Sequence, residues 1–343
     1  MMLTHETDNP LKMTGGAKDE LGLLRLSVVI PTYNRRQSLL RTLDAFAKQT
    51  YPAKQFEVVV ISDGATDGTA DAVKALTPPY RLRFIEQANA GPAKARNNGA
   101  RSACAPLLVY VDDDIEPLPD FLEAHAKAHE NDDTLVLIGP QSEPKGEPMD
   151  NWVLWEHRML QKQYDNFVGG VWEAGPNNLY SGNFSLRREH LLAVGGFNEQ
   201  FTRQEDVELG FRLSEHGLHF LFSMKANAVH RPTRPFQSWY KTPFEYGKRD
   251  VQMARDGGEA RAMELARRHY GERNLATRTA AKLCIGHPAL ESAVLGASQL
   301  AIKHGGPRFS MPACSLLFNL RYLQGMCQEL GGRRKLWQAI NNK

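Results

Sequence analysis

Short apolar runs that alternate with helix-like segments constrain the fold of this chain more than any other feature of the sequence. The runs LSVVI, FEVVVIS and LLVYV are too short for helices and consist mainly of β-branched or large apolar residues, as buried strands do. RLRFIE and TLVLIG repeat the pattern. Strands that alternate with helices predict a doubly wound α/β fold on a mainly parallel sheet. We expect strands at Leu26–Ile30, Phe56–Ser62, Arg81–Glu86, Leu107–Val111 and Thr134–Gly139, and helices at about 35–48, 69–75, 92–102 and 118–129.

Length and composition limit the possible domain organisation of the chain. The 343 residues suffice for one large or two ordinary domains, and no window approaches the apolar length of a membrane-spanning helix. We expect a disordered leader over residues 1–24, which is polar and unlike a signal peptide, then an α/β domain over 25–238 and a helical region over 239–343. The four cysteines are widely spaced and form no CxxC pair, which favours reduced thiols and a cytoplasmic location.

Polar segments follow the predicted strands at the edge where ligands bind in parallel sheets, outside the carboxyl ends. They read PTYNR after the first strand, SDGATDG after the second, NAGPAKARNNG after the third and DDD after the fourth. Neither GxGxxG nor GxxxxGK[ST] occurs, so the sequence does not favour a dinucleotide-binding dehydrogenase or a P-loop NTPase.

The three consecutive aspartates Asp112, Asp113 and Asp114 repel one another at neutral pH unless a cation is shared among them. One interpretation is a solvated acidic turn that precedes the next helix. The other is a metal site, because side chains at i and i+2 of an extended segment point the same way and Asp112 and Asp114 can converge on one divalent cation. The run by itself leaves both open.

Five blocks of sequence, placed between Leu26 and His230, resemble the motifs of glycosyltransferase family 2. They are IPTYNR, ISDGATDGT, AGPAKARNNGA, YVDDDIEP and RQEDVELGFRL. The resemblance implies the GT-A fold, a nucleotide-diphosphosugar-binding α/β domain. It also implies a metal-dependent, inverting transfer of a sugar, expected to be UDP-linked, to a hydroxyl of a glycan or lipid-linked saccharide in polysaccharide biosynthesis.

The resemblance gives roles to the acidic run. Asp112 and Asp114 become the ligands of Mn²⁺ or Mg²⁺, which oxygen-only ligands favour over zinc, and Asp112 alternatively faces the ribose. His230 is a candidate third ligand, although a lone histidine is often structural. Asp113 is grouped with the donor-binding residues, with its side chain directed away from the cation.

Further donor contacts are implied by the same resemblance. Asp63 is expected to accept a hydrogen bond from a uracil imide N–H, or else to form a turn of its own, while Asp67 caps the next helix. A guanidinium suits phosphate oxygens. The expected nucleotide-sugar contacts are Pro31, Tyr33, Asp63, Lys94, Arg96, Asp112, Asp113, Gly182 and Asn183, with Ser181 nearby.

Asp206 is the expected general base, because the resemblance puts the base of the family in the ED pair of RQEDVELGFRL. The alternative is structural. Thr202 and Glu205 have the spacing of a helix capping box, and an aspartate in the first turn favours the helix dipole.

The C-terminal region carries a basic excess and an amphipathic stripe. From Arg231 onward there are 19 Lys and Arg against 8 Asp and Glu, a net charge of +11, whereas the preceding residues carry −8. Leucines and Cys327 step by three and four from Leu316 to Leu330. The stripe predicts either packing on the rest of the protein or peripheral contact with the inner face of the cytoplasmic membrane. No nucleic-acid-binding motif is visible.

Other patterns narrow the function. His125 and His129 have a metal-binding i,i+4 spacing but no third ligand nearby, so we expect a polar helix face. The segment PFQSWY does not match the QxxRW motif of processive relatives, which indicates a non-processive enzyme. Two rivals remain: a sugar-1-phosphate nucleotidyltransferase, which needs a Gly-rich GxGxR-type loop after the first strand, and a non-catalytic nucleotide-sugar-binding relative.

Overall fold

A computed structural model describes residues 23–201 and 203–341. The helices are α1 Arg36–Phe46, α2 Thr69–Lys74, α3 Pro92–Ser102, α4 Phe121–Ala128, α5 Asn151–Val168, α6 Arg188–Ala193, α7 Glu205–Glu215, α8 Phe236–Arg255, α9 Glu259–Gly271, α10 Leu275–Cys284, α11 Pro288–His304, α12 Pro307–Glu329 and α13 Arg333–Asn341. The strands are β1 Leu26–Thr32, β2 Phe56–Asp63, β3 Arg81–Gln87, β4 Leu107–Val111, β5 Ile115–Pro117, β6 Leu135–Ile138, β7 Gln141–Ser142, β8 Asn183–Arg187, β9 His219–Phe222 and β10 Ala228–His230.

The chain divides into two compact units, which we call the sheet unit and the helical unit. The sheet unit comprises residues up to Pro140 together with Ala174–Glu199 and Leu209–Ala228. The helical unit comprises Gln141–Glu173, Gln200–Glu208 and the chain from Val229 onward. This division differs from the predicted boundary at residue 238, because α5 and residues 200–208 group with the C-terminal helices. Residues 1–22 of the predicted leader lie outside the described residues.

The sheet unit is built on seven strands in the order β3-β2-β1-β4-β8-β6-β9. Strand β1 pairs in parallel with β2 and with β4, so that Val28 lies opposite both Val58 and Val109. Strand β8 is antiparallel to its neighbours β4 and β6. The α/β fold with a mainly parallel sheet is therefore confirmed, and the carboxyl ends of β1, β2 and β4 meet at one edge.

Burial explains which of these strands the sequence revealed. Every residue of β2 and β4 is buried, whereas β3 is half-exposed because it lies at the edge of the sheet. Apolar residues on the two faces of the sheet form separate clusters under the helices. Strands β8 and β9 were not predicted, because polar residues interrupt NFSLR and β9 is a short, half-exposed edge strand.

The helical unit is organised around α8 and α12, which cross with their backbones in contact. A Cβ at Gly247 would collide with the carbonyl oxygen of Tyr322, and a Cβ at Gly325 would collide with that of Phe244. Two glycines thus allow the helices to approach closely. The helical C-terminal region is confirmed.

The amphipathic stripe of the C-terminal region faces the interior of the helical unit. Leu320, Leu323, Cys327 and Leu330 are all buried in its apolar core. These four residues are covered within the helical unit, so the structure favours packing for this part of the stripe, whereas peripheral membrane contact of the C-terminal region stays a prediction. Among the helices of residues 23–201 and 203–341, none is both long and apolar enough to span a bilayer.

Candidate active site

The aspartate run lies where β4 ends, beside the end of its parallel neighbour β1. Arg35, which follows β1, places its Nη1 atom 2.5 Å from Asp114 Oδ2 and 3.2 Å from Asp113 Oδ1. Asp113 and Asp114 are both buried. One guanidinium therefore binds two of the three carboxylates and relieves the repulsion that their sequence implies.

Asp113 points toward β1. Its Oδ2 accepts a hydrogen bond from the Thr32 hydroxyl at 2.7 Å, and its backbone carbonyl accepts one from Thr42. Burial raises the pKa of Asp113 to about 7, and the neighbouring charge of Asp114 acts in the same direction while Arg35 opposes it. Asp113 is thus a buried carboxylate that is held by β1, by α1 and by Arg35 between them.

Asp112 is bound by a second guanidinium. Arg96 on α3 donates from Nη2 to Asp112 Oδ1 at 2.8 Å, and its guanidinium lies over the Phe197 ring at 5.6 Å. The Arg96 side chain is 5% exposed, whereas that of Asp112 is 35% exposed. Arg96 therefore reaches the aspartate run itself, and diphosphate binding by Arg96 stays a prediction.

The donor set of Asp112 and Asp114 suits a hard divalent cation, since both offer carboxylate oxygens at the end of one strand. Asp112 is open to solvent on one side, as an incoming cation requires. Within the described part of the chain, no group of three or more His, Cys, Asp and Glu side chains is arranged to hold a metal ion. Mn²⁺ or Mg²⁺ fits the two aspartates, but it would have either to displace Arg35 from Asp114 or to bind beside it.

Asp63, at the end of β2, fastens the loop between β3 and α3. Its Oδ1 accepts from Gln87 Nε2 at 2.7 Å and from the Ala90 amide at 2.8 Å, while Oδ2 accepts from the Gly91 amide at 2.9 Å. Asp63 is 5% exposed. Because a carboxylate oxygen can accept two hydrogen bonds, Oδ2 retains the capacity to accept one more donor.

The other predicted donor contacts of this edge are mostly open to solvent. Pro31 lies inside β1, which runs two residues further than predicted, and Tyr33 just beyond it is 51% exposed. Lys94 is exposed on α3. Asn34 adopts a left-handed backbone conformation with φ of 53°, and its Oδ1 accepts a hydrogen bond from the Thr66 amide at 2.7 Å. The loops after β1 and β2 are thereby joined.

Asn183 does not face this edge. Its side chain is fully buried, and Nδ2 donates to the carbonyl oxygens of Pro140 and Ala226 at 2.8 and 2.9 Å. The Asn183 side chain therefore cannot contact a donor without breaking these bonds, so the predicted contact is corrected to a structural role. Ser181 and Gly182 are also buried, and their donor contacts stay predictions.

His125 and His129 form a buried polar cluster with Ser185, which corrects the expectation of a polar helix face. Nε2 of His125 lies 3.1 Å from Asn183 Oδ1, and Nδ1 lies 2.8 Å from Ser185 Oγ. His129 Nε2 is also 2.8 Å from Ser185 Oγ. Burial lowers the pKa of His125 to about 3 and that of His129 to about 4. Neutral rings suit this arrangement, because Asn183 Oδ1 must accept and Ser185 can then donate to His125 and accept from His129.

Asp206 lies in the first turn of α7 and belongs to the helical unit. Its Oδ1 accepts a hydrogen bond from the amide of the next residue at 2.9 Å. The helix is preceded by Gln204, a non-glycine residue with φ of 57°, and such strained residues are often found at functional sites. Burial, followed by the charge of Asp206, raises the pKa of Tyr246 to about 12. Thr202, the first member of the predicted capping box, lies outside the described residues.

A hydrogen-bonded chain fastens this segment onto the helical unit. Gln204 Nε2 donates to Asp250 Oδ1 at 2.8 Å, and the Tyr322 hydroxyl donates to Asp250 Oδ2. The Arg249 guanidinium lies over the Phe201 ring at 4.8 Å. The strained residue before Asp206 is therefore held by α8 and α12 together.

His230 also belongs to the helical unit, where its ring meets that of His157 edge to face at 5.4 Å between centroids. Burial, followed by the proximity of His230, lowers the pKa of His157 to about 4. The role of His230 as a metal ligand stays a prediction.

The sequence interpretation missed Arg35 and Thr32 as partners of the aspartate run. Both residues were visible in IPTYNR, directly after the first strand. The missing information was the strand order, since only the pairing of β1 with β4 brings the segment that follows β1 against Asp113 and Asp114.

Comparison with known proteins gives a family match and several curated relatives. The sequence pattern described as Glycosyl transferase family 2 matches residues 27–195. Validoxylamine A glucosyltransferase of Streptomyces hygroscopicus subsp. jinggangensis is 33% identical over 233 residues, which cover 60% of this chain and 55% of that protein. The chain thus spans about half the length of the curated relatives of this name.

Solved structures resemble the fold. The mannosyltransferase PcManGT from Pyrobaculum calidifontis, in complex with GDP-Man and Mn²⁺, gives a TM-score of 0.54 at 18% identity, covering 86% of this chain and 85% of that chain. S. aureus TarS 1-349 in complex with UDP-GlcNAc gives a TM-score of 0.52 at 17% identity, covering 85% of this chain and 91% of that chain. At such identities the likeness concerns the fold alone.

Proposed function

The chain belongs to glycosyltransferase family 2 and has the GT-A fold, and we propose that it is an inverting transferase that moves a sugar from a nucleotide-diphosphosugar to a hydroxyl acceptor. The observation that carries the proposal is the aspartate run at the carboxyl edge of the sheet, bound by Arg35 and Arg96. Ligands of open α/β sheets bind at this edge. Crowded carboxylates compensated by guanidinium groups suit a site that receives a dianionic diphosphate together with a cation.

The proposed donor is UDP-linked. Asp63 supports this choice, because its Oδ2 can accept a further hydrogen bond, such as one from a uracil imide N–H. Tyr33, exposed just beyond β1, offers an aromatic face for the base. The name of the glucosyltransferase relative and the UDP-GlcNAc of TarS are consistent with a UDP-hexose, whereas the GDP-Man of PcManGT makes GDP-sugars the alternative to test.

Mn²⁺ or Mg²⁺ is the proposed cofactor, with Asp112 and Asp114 as ligands and His230 as a third. When bound, such a cation offsets the charge that develops on the departing diphosphate. Arg35 is the residue whose partners would change on metal binding, since it contacts Asp114 at 2.5 Å in this structure. Lys94 is exposed on α3 and is proposed to meet a phosphate oxygen.

Asp206 is the proposed general base. The acceptor hydroxyl loses its proton to the carboxylate of Asp206 while its oxygen forms a bond to the anomeric carbon of the donor. The bond from that carbon to the diphosphate oxygen breaks, and the nucleoside diphosphate leaves with the electron pair. Attack opposite the leaving group inverts the anomeric configuration.

The proposed acceptor is a glycan or a lipid-linked saccharide, and transfer is non-processive because QxxRW is not matched. The basic excess of the C-terminal region supports peripheral contact with an anionic membrane surface. Of the rivals, a nucleotidyltransferase is disfavoured because β1 runs into PTYNR rather than a Gly-rich loop.

The test is a panel of UDP-glucose, UDP-GlcNAc, GDP-mannose and dTDP-glucose, each with Mn²⁺, with Mg²⁺ or with chelator. We expect metal-dependent release of nucleoside diphosphate from one donor and a metal-dependent thermal shift with the same donor. Release of pyrophosphate from a nucleoside triphosphate and a sugar phosphate would instead support the nucleotidyltransferase. Binding without turnover across a broad acceptor panel would favour the non-catalytic relative.

A further inference from the structure

Helices α10 and α11 of the helical unit expose apolar side chains over a continuous surface. Leu275 is 71% exposed and Leu283 is 57% exposed on α10, while Leu290 is 46% exposed on α11. All three line one apolar groove of about 720 Å³ between the two helices. Exposed apolar surface that is contiguous, rather than scattered, marks an interaction site.

The outward face of α11 extends this surface. Leu290, Ala293, Ala297 and Leu300 are spaced by three and four residues, so they share one face of the helix. All four are exposed, and Leu300 is 65% exposed. The opposite face, which includes Ile302, packs into the unit. Helix α11 is therefore apolar on both faces, although only one of them is covered.

Basic residues flank this apolar surface along the chain. From Arg273 to Ser310 there are five Lys and Arg, whereas Glu291 is the one acidic residue. Lys282 precedes Leu283 on α10, Lys303 follows Leu300 on α11, and both are exposed. The carboxylate of Glu291 accepts a hydrogen bond from the Gly286 amide at 3.2 Å.

We propose that the surface formed by the exposed faces of α10 and α11, the α10–α11 surface, docks onto a bilayer that carries anionic headgroups. Apolar side chains that enter the acyl boundary, flanked by cations that meet headgroups, are the composition of interfacial helices. A second copy of this chain fits less well, because a two-fold contact would bring the same cations face to face. The proposal rests on the proposed function, because the purpose of docking is to bring the enzyme to lipid-linked acceptors. The α10–α11 surface takes the place of the stripe around Leu320 as the candidate membrane contact.

The experiment is flotation of the full chain with vesicles of phosphatidylcholine, with or without phosphatidylglycerol. We expect binding only to the acidic vesicles, weakened by salt because exposed charges are screened. The double variant L283S/L290S should lose about tenfold or more in vesicle affinity, since two leucines no longer leave water. The matched control is L192S, which replaces a leucine that is 42% exposed in the sheet unit, and it should float like the wild type.

A charge variant separates the contribution of the lysines to vesicle binding from that of the leucines. K282Q/K303Q should reduce binding to acidic vesicles and weaken its salt dependence, while leaving the leucine contribution in place. Vesicle binding by L283S/L290S at the wild-type level, with an unchanged melting temperature, would overturn the proposal. So would light scattering that shows a wild-type dimer dissociated by the same substitutions, because the surface would then join two copies of the chain.

Donor turnover with a water-soluble acceptor distinguishes failure of this inference from failure of the proposed function. L283S/L290S should retain wild-type turnover, because neither leucine is placed in the catalytic machinery. Wild-type protein that binds acidic vesicles but transfers no sugar would contradict the proposed function and leave the surface standing. Protein that transfers sugar but binds no vesicle would contradict the proposed role of the α10–α11 surface and leave the proposed function standing.

Discussion

The aspartate run of the sheet unit and Asp250 of the helical unit are compensated in different ways. Asp112, Asp113 and Asp114 stand in a row, and guanidinium groups of Arg35 and Arg96 contact them. In the helical unit, Asp250 is a single carboxylate that accepts hydrogen bonds from two neutral donors, the Gln204 amide and the Tyr322 hydroxyl.

This difference distinguishes a reactive arrangement from a structural one. Carboxylates crowded beside one another raise each other's pKa and attract any cation, so their protein partners can be exchanged for a metal. A lone carboxylate satisfied by neutral donors has no such tendency, and it fixes the position of the segment that donates to it. We therefore expect the Asp250 network to position the segment before Asp206, and the aspartate run to bind ligand.

The largest expected effect comes from the general base. Asp206→Asn is nearly isosteric and should lower kcat by about 10²–10⁴-fold, because proton transfer from the acceptor is lost. Donor affinity measured by calorimetry should stay near the wild-type value. Glu208→Gln, two residues further along α7, is the matched control and should keep its turnover. Near wild-type turnover in Asp206→Asn would show that the base lies elsewhere, and a product with retained anomeric configuration would contradict inversion.

A second variant tests the aspartate run of the sheet unit. Asp114→Asn should weaken Mn²⁺-dependent binding of nucleoside diphosphate by roughly a hundredfold, since one of two carboxylate ligands is neutralised. The melting temperature of the metal-free protein should change little, because relief of the repulsion with Asp113 offsets the weakened bond between Arg35 and residue 114.

Glu116→Gln is the control for Asp114→Asn, because Glu116 lies two residues away and pairs with Arg41 at the surface. It should bind Mn²⁺ and nucleotide like the wild type. Equal nucleotide affinity of Asp114→Asn and the wild type in the presence of Mn²⁺ would remove Asp114 from the proposed metal site.

The third prediction concerns the buried histidines of the sheet unit. The folded-state pKa of His129 is lowered to about 4 from an ordinary value of 6.5. The unfolded chain therefore takes up a proton as the pH falls below about 6.5, whereas the folded protein does not until about pH 4. Stability from this group is present above pH 6.5 and is lost toward pH 4, by about 2 kcal/mol at pH 5.

Denaturant unfolding between pH 7 and pH 5 measures this loss. His129→Gln should flatten the dependence of the unfolding free energy on pH by about one proton, whatever its effect on stability at pH 7. An unaltered slope in His129→Gln would mean that the ring titrates normally in the folded protein.

Much of the sheet unit could be predicted from the sequence, and the reason is burial. The runs around Val28, Val58 and Val109 are mainly apolar because their strands are covered on both faces. The strand NFSLR was missed because its asparagine and serine are buried yet polar. Their partners, His125 and His129, lie more than fifty residues earlier in the chain, and no local sequence pattern indicates such a contact.

The candidate site could likewise be predicted only in part from the sequence. Asp112, Asp113 and Asp114 could be placed at the edge of the sheet because they follow a predicted strand directly. The same reasoning misjudged Asn183, whose side chain is fastened to the carbonyls of Pro140 and Ala226. For the stripe around Leu323 the sequence left packing and membrane contact both open, because amphipathic periodicity identifies an apolar face without saying what covers it.

The sequence alone determined the alternation of the first strands and helices along the chain, the family motifs, and the position of the acidic run, because periodicity and turn residues act over a few neighbours along the chain. The tertiary structure decided which partners those residues have. Arg35 meets Asp113 and Asp114 only because β1 pairs with β4, and the leucines of α10 and α11 stay exposed because other faces of these two helices pack into the helical unit. Long-range pairing depends on the whole chain, so no local segment encodes it.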